Sequence, residues 1–349
     1  MTCSKQTMKQ INVAALLRTF LINGPASQTQ LVEITNLKKP TVSVLINQLK
    51  EQGLIFGTGS GNSSLQGGRK PQFIDINRTN IVGLGVSLRN LDLQFGLYDL
   101  QGKQIWQTAI QLGKNHSSIW APIILKTIKK IQQRCAARQQ VFLGTGFAIG
   151  CIFNPLRNNL NAISNNDEKD LSVNELFSSH LQNTAVVVDD FPNAMAIGEM
   201  WFGRAKDLSD FIYFQPVHPK LTIIIDKKIY RGHRFFAGEI GDCVMGAVPM
   251  RDLKGKAGFF TDAAFLQWLY ELTLYYDPEK IIISAESAPA GLKDNLAAIN
   301  GFIGDRYRER HPAFIKDDFI QFGTLDSSET VKGAVALVFE NYFYSYKVQ

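Results

Sequence analysis

The chain has 349 residues, 45% of them hydrophobic and 19% charged, with a formal net charge of +6. This is the make-up of a globular protein with a sizeable core and room for two or three domains, and no apolar run approaches the ~20 residues that span a bilayer. Cys3, Cys135, Cys151 and Cys243 form no Cys-x-x-Cys pair, and the first residues lack the pattern of a secretory leader, so a reducing cytoplasmic setting without membrane contact is expected.

The charge is unevenly placed. Residues 1–80 carry nine basic and three acidic side chains, so the whole excess lies there and the remainder is balanced. A basic head on a neutral body predicts a polyanionic partner for the head alone.

Ile11 to Ile22 sets apolar residues along one helical face and stops at Asn23-Gly24-Pro25. Ser27 and Gln30 have the spacing of a capping box for a short second helix that ends near Asn36. A third helix is predicted from Lys39 to Gln52, with Pro40 in its first turn and Val42, Leu45, Ile46 and Leu49 as its core stripe. Two short helices joined by a tight turn, the second basic at its start, form a helix-turn-helix. The bland alternative is a three-helix bundle with a solvated basic face; charge placement and the next segment favour DNA. Lys39, Thr41, Ser43, Val44, Asn47 and Gln48 are the outward positions, and Asn, Gln, Ser and Thr can hydrogen-bond base edges. Lys38 and Lys39 at the helix start suit phosphates. Leu54–Phe56 and Phe73–Ile76 read as the strands of a wing around a Gly/Ser-rich insert closed by Gly67-Gly68-Arg69-Lys70-Pro71. Arg69 and Lys70 on such a loop suit a narrow, A·T-rich minor groove, although the insert also reads as an interdomain linker.

From Ile81 the pattern turns to alternating strands and helices. "IVGLGVSLRNLDLQFGLYDLQGK" predicts two strands with a hairpin turn at Gln101-Gly102, residues 119–134 an amphipathic helix, and "VFLGTGFAIG" a buried strand. "VVVDDFPNAMAIGEMWFG" predicts a strand that empties into Asp189 and Asp190 and then a helix. Carboxylates in that place face ligand clefts in α/β proteins, and they equally suit helix N-capping. A second hairpin turns at Asp226–Lys228, "AFLQWLYELTLYYDPEKIIISAE" is helix then strand, and residues 328–344 are a last helix. Two halves that each open with an antiparallel hairpin resemble the actin-like ATPase fold. The expected fold is therefore a winged helix-turn-helix (α+β) over residues 1–78 and an α/β actin-like body of two lobes over 79–349.

"SQTQLVEITNLKKPTVSVLINQLKEQGLI", "GGRKP", "NAMAIGEMWFG", "IYRG" and "AGEIGD" together resemble the ROK family of repressors and sugar kinases, and its sugar-responsive regulators in particular. Set against the kinases that the resemblance brings in, this chain lacks their chemistry. The Asp of their first phosphate loop is Gly85 here, which removes a usual magnesium anchor. Their Gly-Thr-Gly-x-Gly loop is "PVHPKL" at 216–221, where prolines remove N–H groups that would cradle phosphate. Their catalytic Asp aligns with Phe191, which cannot take a proton from a sugar hydroxyl. A register shift could bring in Asp189 or Asp190, yet both phosphate loops would still need replacing. The family's zinc site is reduced to Cys243, with Asp242 at the His position and no Cys or His in residues 244–260, so packing of Val244, Met245 and Phe259 must order that segment.

What the resemblance leaves is a sugar pocket: Glu239, Asp190 and Asp242 as hydroxyl acceptors, Asn165 and Asn166 as contacts, and Phe191 as an aromatic face or a filler. It implies a transcriptional regulator, a repressor, that senses a sugar-type effector with no catalytic residue, metal or cofactor. The expected partners are a palindromic, A·T-rich duplex operator and a second copy, as homodimer or tetramer. The alternatives are an active sugar kinase with a DNA-binding appendage, and a regulator answering to a protein partner.

Overall fold

The computed structural model describes residues 5–60, 71–89, 91–114, 116–150, 152–154, 159–161, 171–178, 181, 184–245, 248–253, 262–285, 290–310, 318–326 and 329–344. The head opens with helix α1 (Lys5–Asn23), followed by strand β1 (Ala26–Ser27), α2 (Gln28–Thr35), α3 (Lys39–Glu51), β2 (Ile55–Ser60) and β3 (Gln72–Ile76). The capping box forms as its spacing predicts: Gln30 N–H donates to Ser27 Oγ, and the Ser27 N–H donates to Gln30 Oε1 at 2.9 Å. Asn36 ends α2 in the left-handed region, and Val42, Leu45, Ile46 and Leu49 are the buried stripe of α3. β1 adds a third strand beside the two of the wing, in the order β1-β3-β2.

The first lobe of the body holds β4 (Ile81–Arg89), β5 (Asp92–Asp99), β6 (Gln104–Gln111), α4 (Ser117–Ala137), β7 (Val141–Ile149), three short strands β8 (Ile152–Asn154), β9 (Asn159–Asn161) and β10 (Leu171–Ser172), then β11 (Ala185–Asp190) and α5 (Phe191–Phe202). The second lobe holds β12 (Phe211–Gln215), β13 (Lys220–Ile225), β14 (Lys228–Tyr230), β15 (Val244–Met245), β16 (Val248–Pro249), α6 (Ala263–Tyr276), β17 (Lys280–Ile283), α7 (Ala290–Arg310) and β18 (Ile320–Phe322); α8 (Thr330–Tyr344) follows. Each lobe is built on a five-stranded sheet, β11-β7-β4-β5-β6 and β14-β13-β12-β17-β18. Both sheets mix an antiparallel meander with parallel strands. β4 and β5 are the two strands expected over 81–103, and the turn at Gln101-Gly102 leads into a further strand, β6, that makes the meander three-stranded. β6 escapes the hydrophobic pattern because its outward face is polar and half its residues are exposed.

Helix α8 is the hub. It touches β4, β5, β7 and β11 of the first sheet, α5 beside it, and α1 of the head. The approach is backbone to backbone: a Cβ on Gly85 would lie 1.9 Å from the Val331 carbonyl oxygen, and one on Gly146 1.8 Å from that of Ala334. One continuous core joins head and body, with Leu16, Leu17 and Phe20 of α1 packed among Val335, Val338, Phe339 and Phe343 of α8. Arg78 stands at the junction: its side chain donates to the Phe20 carbonyl and to Asp75 of the head, each at 2.8 Å, and its carbonyl accepts from the Leu100 N–H of the body. Among the described residues no helix is long and apolar enough to cross a membrane.

Because backbone cannot yield as a flexible side chain does, Gly85→Ala and Gly146→Ala are each expected to cost ~3 kcal/mol or more. Urea unfolding measures this; a loss below ~1 kcal/mol would show that α8 can lift away from the sheet.

Candidate ligand cleft and DNA interface

Asp189 and Asp190 end β11, and the structure gives each a distinct task. Asp190 is the N-cap of α5: its Oδ1 accepts from Asn193 N–H at 2.9 Å. Its Oδ2 accepts from the Asn193 side chain at 3.0 Å and from Lys220 Nζ at 2.6 Å. Asp189 Oδ1 accepts from Asn193 Nδ2 at 2.8 Å and from Arg231 at 3.1 Å, and a second Arg231 nitrogen pairs with Oδ2. Thr222 completes the group by donating to Asn193 Oδ1 at 2.9 Å. Lys220 also reaches Glu239 Oε1 at 2.5 Å. The backbone supports that contact, since Lys220 bridges Glu239 and the Leu221 N–H donates to Gly238.

Lys220 and Arg231 belong to the second lobe and both aspartates to the first, so two ion pairs cross the cleft. Burial and the neighbouring Asp189 charge push the Asp190 carboxyl up to about 6, against the pull of Lys220. Burial also works against the Lys220 ammonium, but Asp190 and Glu239 outweigh it and hold it above the ordinary lysine range. Burial likewise opposes the Arg231 charge and Asp189 overcomes it. Lys220 and Arg231 therefore stay charged through neutral pH, and the proton that moves near pH 6 sits on Asp190.

Phe191 is buried against Ala148, Ala194 and Met195, and the Arg89 guanidinium lies 5.0 Å from its ring centre. Of the two uses open to it, the structure favours filling. Asp242 does not join the cluster: its side chain is 81% exposed and pairs with Arg251. A carboxylate expected in the pocket is thus held at the surface, because the turn after Gly241 points it toward the next short helix. Asn165 and Asn166 lie outside the described residues, as do Arg69, Lys70 and Phe259. Cys243 is exposed, Met245 is buried in the second-lobe core and Val244 is exposed. Among the described residues no three His, Cys, Asp or Glu side chains lie close enough to share a metal ion. A lone exposed thiol does not fit the zinc site that the resemblance brings in.

Lys220, Arg231, Arg89 and Asn193 are site residues that the sequence pattern does not single out. Lys220 carries a signal, a lone cation opening the apolar run Leu221–Ile225, but the loss of glycine beside it is the more conspicuous feature. At the C-terminal ends of β12 and β17, where Gln215 pairs with Lys220, Gln215 and Ser284 are buried and their side chains have no hydrogen-bond partner.

On the head, Lys38, Lys39 and Asn47 are exposed and Ser43 is half-buried. Lys39, Ser43 and Asn47 recur every four residues and form one strip of α3. Thr41 and Gln48 lie on its other flank, where they line a hollow with Met8 and Asn12 of α1. The predicted base-reading set thus lies on two flanks of α3, one of which faces a hollow shared with α1, a helix that begins well before Ile11.

The raised Asp190 fixes a pH dependence. The folded protein keeps a proton that the unfolded chain releases between about 4 and 6, so this contribution is complete below pH 4 and lost as pH rises through 6. The melting temperature of Asp190→Asn minus that of the wild type is expected to rise from pH 4 to 6.5 and stay level above 7. A difference that does not change with pH contradicts the assignment.

Residues 84–260 match the model of the ROK family, and residues 10–62 that of the MarR family. The xylose repressor of Bacillus spizizenii is 30% identical over 238 residues, 67% of this chain and 60% of the repressor. The DNA-binding transcriptional dual regulator NagC of Escherichia coli is 25% identical over 236 residues, 67% of this chain and 57% of NagC. The chain thus matches about 60% of the length of these relatives. A crystal structure of a ROK-family transcriptional regulator, a homolog of the E. coli MLC protein, superposes with a TM-score of 0.72 at 17% identity, covering 97% of both chains. The ROK hexokinase of Thermus thermophilus superposes at 0.56 and 14% identity, over 74% of this chain and 98% of its own. The fold is therefore a winged helix-turn-helix joined to an actin-like body of two lobes, and the chain belongs to the ROK family.

Proposed function

We propose that the chain is a DNA-binding transcriptional regulator, a repressor, whose body senses a sugar or sugar derivative without phosphorylating it. One observation carries this reading: the three places that run chemistry in the kinase-like relatives are taken by packing and by ion pairs. Gly85 lies against the α8 backbone, where an Asp side chain has no room. Phe191 is buried core, and Lys220 stands in the second phosphate loop with its ammonium on Asp190 and Glu239. The names borne by the relatives, repressors of xylose and N-acetylglucosamine genes, support the same reading.

In this proposal residues 1–78 bind a palindromic, A·T-rich operator and residues 79–349 hold the effector and pair two copies. Lys38 and Lys39 contact phosphates, Ser43 and Asn47 read bases, and Arg69 and Lys70 enter the minor groove. Thr41 and Gln48 flank that surface. The effector lies on Glu239 with Asn165 and Asn166. Exposed Tyr230, Val244 and Tyr275 on the second lobe favour pairing there. The mechanism is a population shift between lobe arrangements. Ion pairs from Lys220 and Arg231 favour closure, while hydration of Gln215 and Ser284, unpartnered when buried, favours opening. A coupling of ~1–3 kcal/mol between cleft and head changes operator affinity ~5–150-fold.

Lys38→Gln with Lys39→Gln is expected to weaken binding to every duplex and to reduce the slope of log K against log salt by ~0.9 for each phosphate that is no longer neutralised. Asn47→Ala should alter sequence preference instead, seen as a smaller gap between selected and random duplexes in fluorescence anisotropy. If both variants bind as the wild type does, α3 is not the reading helix. With ATP, magnesium and a sugar panel, a coupled assay should show no turnover above the blank; clear turnover would establish the kinase alternative.

A further inference from the structure

A second cavity, of about 900 Å³, lies apart from Lys220 and Glu239 at the meeting point of the head and both lobes. Its walls combine apolar side chains, Ile197, Met200 and Trp201 of α5, Leu337 and Tyr344 of α8 and Ile229 of β14, with the polar Gln101 and Asn341. Leu21 of α1 and Arg78 bring the head into the same wall. Lys206, Lys227 and Lys228 are exposed and line its solvent side. Its carboxylates are already engaged, Asp189 by Arg231 and Glu340 by the indole N–H of Trp201 at 2.9 Å.

We propose that this cavity is a second ligand site, which takes an organic anion of drug size with an apolar ring or chain. The volume is that of a small-molecule site, and greasy walls behind a cationic mouth are complementary to an amphipathic anion. Three lysines on its solvent side set its chemistry apart from that of the cleft. Its position adds a consequence. A ligand held there touches α1 and Arg78 on one side and the Asp189–Arg231 ion pair on the other. It therefore biases the head and the lobes together, whether or not the cleft binds sugar.

Anilinonaphthalene sulfonate, an aromatic anion, is a suitable probe for titration against the full-length protein. One site per chain is expected, with emission sensitised by Trp201. Lys206→Glu with Lys227→Glu should weaken the probe about tenfold. Met200→Trp, which fills the cavity, should abolish binding, and Trp201→Phe should remove the sensitised emission while the bound probe still fluoresces on direct excitation. Absence of binding by the wild type, or equal binding by the charge-reversed and the filled variants, overturns the proposal. Sugar binding followed by thermal shift in the same variants reports on the cleft separately.

Discussion

The close seating of α8 on the first sheet is the constraint from which the rest follows. Two strand glycines let the helix backbone come within contact of β4 and β7, nearer than any side chain allows. From that seat one face of α8 covers the sheet, a second packs on α5, and a third receives α1. The helix therefore fixes three things at once: where the strand ending in Asp189 and Asp190 lies, how α5 leaves it, and how the head sits on the body. An Asp in place of Gly85, as in the first phosphate loop of the kinases that the resemblance brings in, is incompatible with this seat, because its Cβ would meet the Val331 carbonyl.

The cleft is ordered by opposed charges from its two walls. Three carboxylates, Asp189, Asp190 and Glu239, converge between the lobes, and left alone they would repel one another. Lys220 and Arg231 cross from the other lobe to neutralise them, and Asn193 spends both amide hydrogens on the two aspartates. Most of the lone pairs that would meet sugar hydroxyls are thus engaged by the protein's own cations. Buried ion pairs of this kind add little net stability, but breaking one leaves a costly unpaired charge. Such an arrangement favours two discrete states over a continuum, which is what a switch requires.

Head and body share a core, so α3 is not tethered loosely. Phe20 is fully buried between α1 and α8, and burying a side chain of that size contributes about 1.5–3 kcal/mol. The Arg78 side chain ties the end of the head back to Phe20 and Asp75, and its carbonyl accepts from the Leu100 N–H of the body. A change in the angle between the lobes can reach α3 through the packed pair of α8 and α1, and through Gly53, whose carbonyl accepts from the Asn80 side chain. The cavity beside them lies where such a movement would be felt.

Much of the fold was legible in the sequence because local signals agreed. The capping box at Ser27 and Gln30, the stop at Gly24, the stripe of α3 and the turn at Asp226 each follow from the chemistry of a few neighbouring residues. β6 and α7 escaped, the first because its outward face is polar, the second because its apolar periodicity is weak. The location of the site was legible too, since carboxylates at the end of β11 mark a cleft by topology alone. Its content was not. That Lys220 and Arg231 fold back onto those carboxylates, that Asp242 turns outward to Arg251, and that α1 screens Thr41 and Gln48 all depend on residues distant in sequence. A sequence records which charges and apolar faces are available, and local pattern tells where helices and strands begin. Which charge meets which, across 30 to 42 residues and between two lobes, is set by the packing of whole elements, and only the tertiary structure decided it.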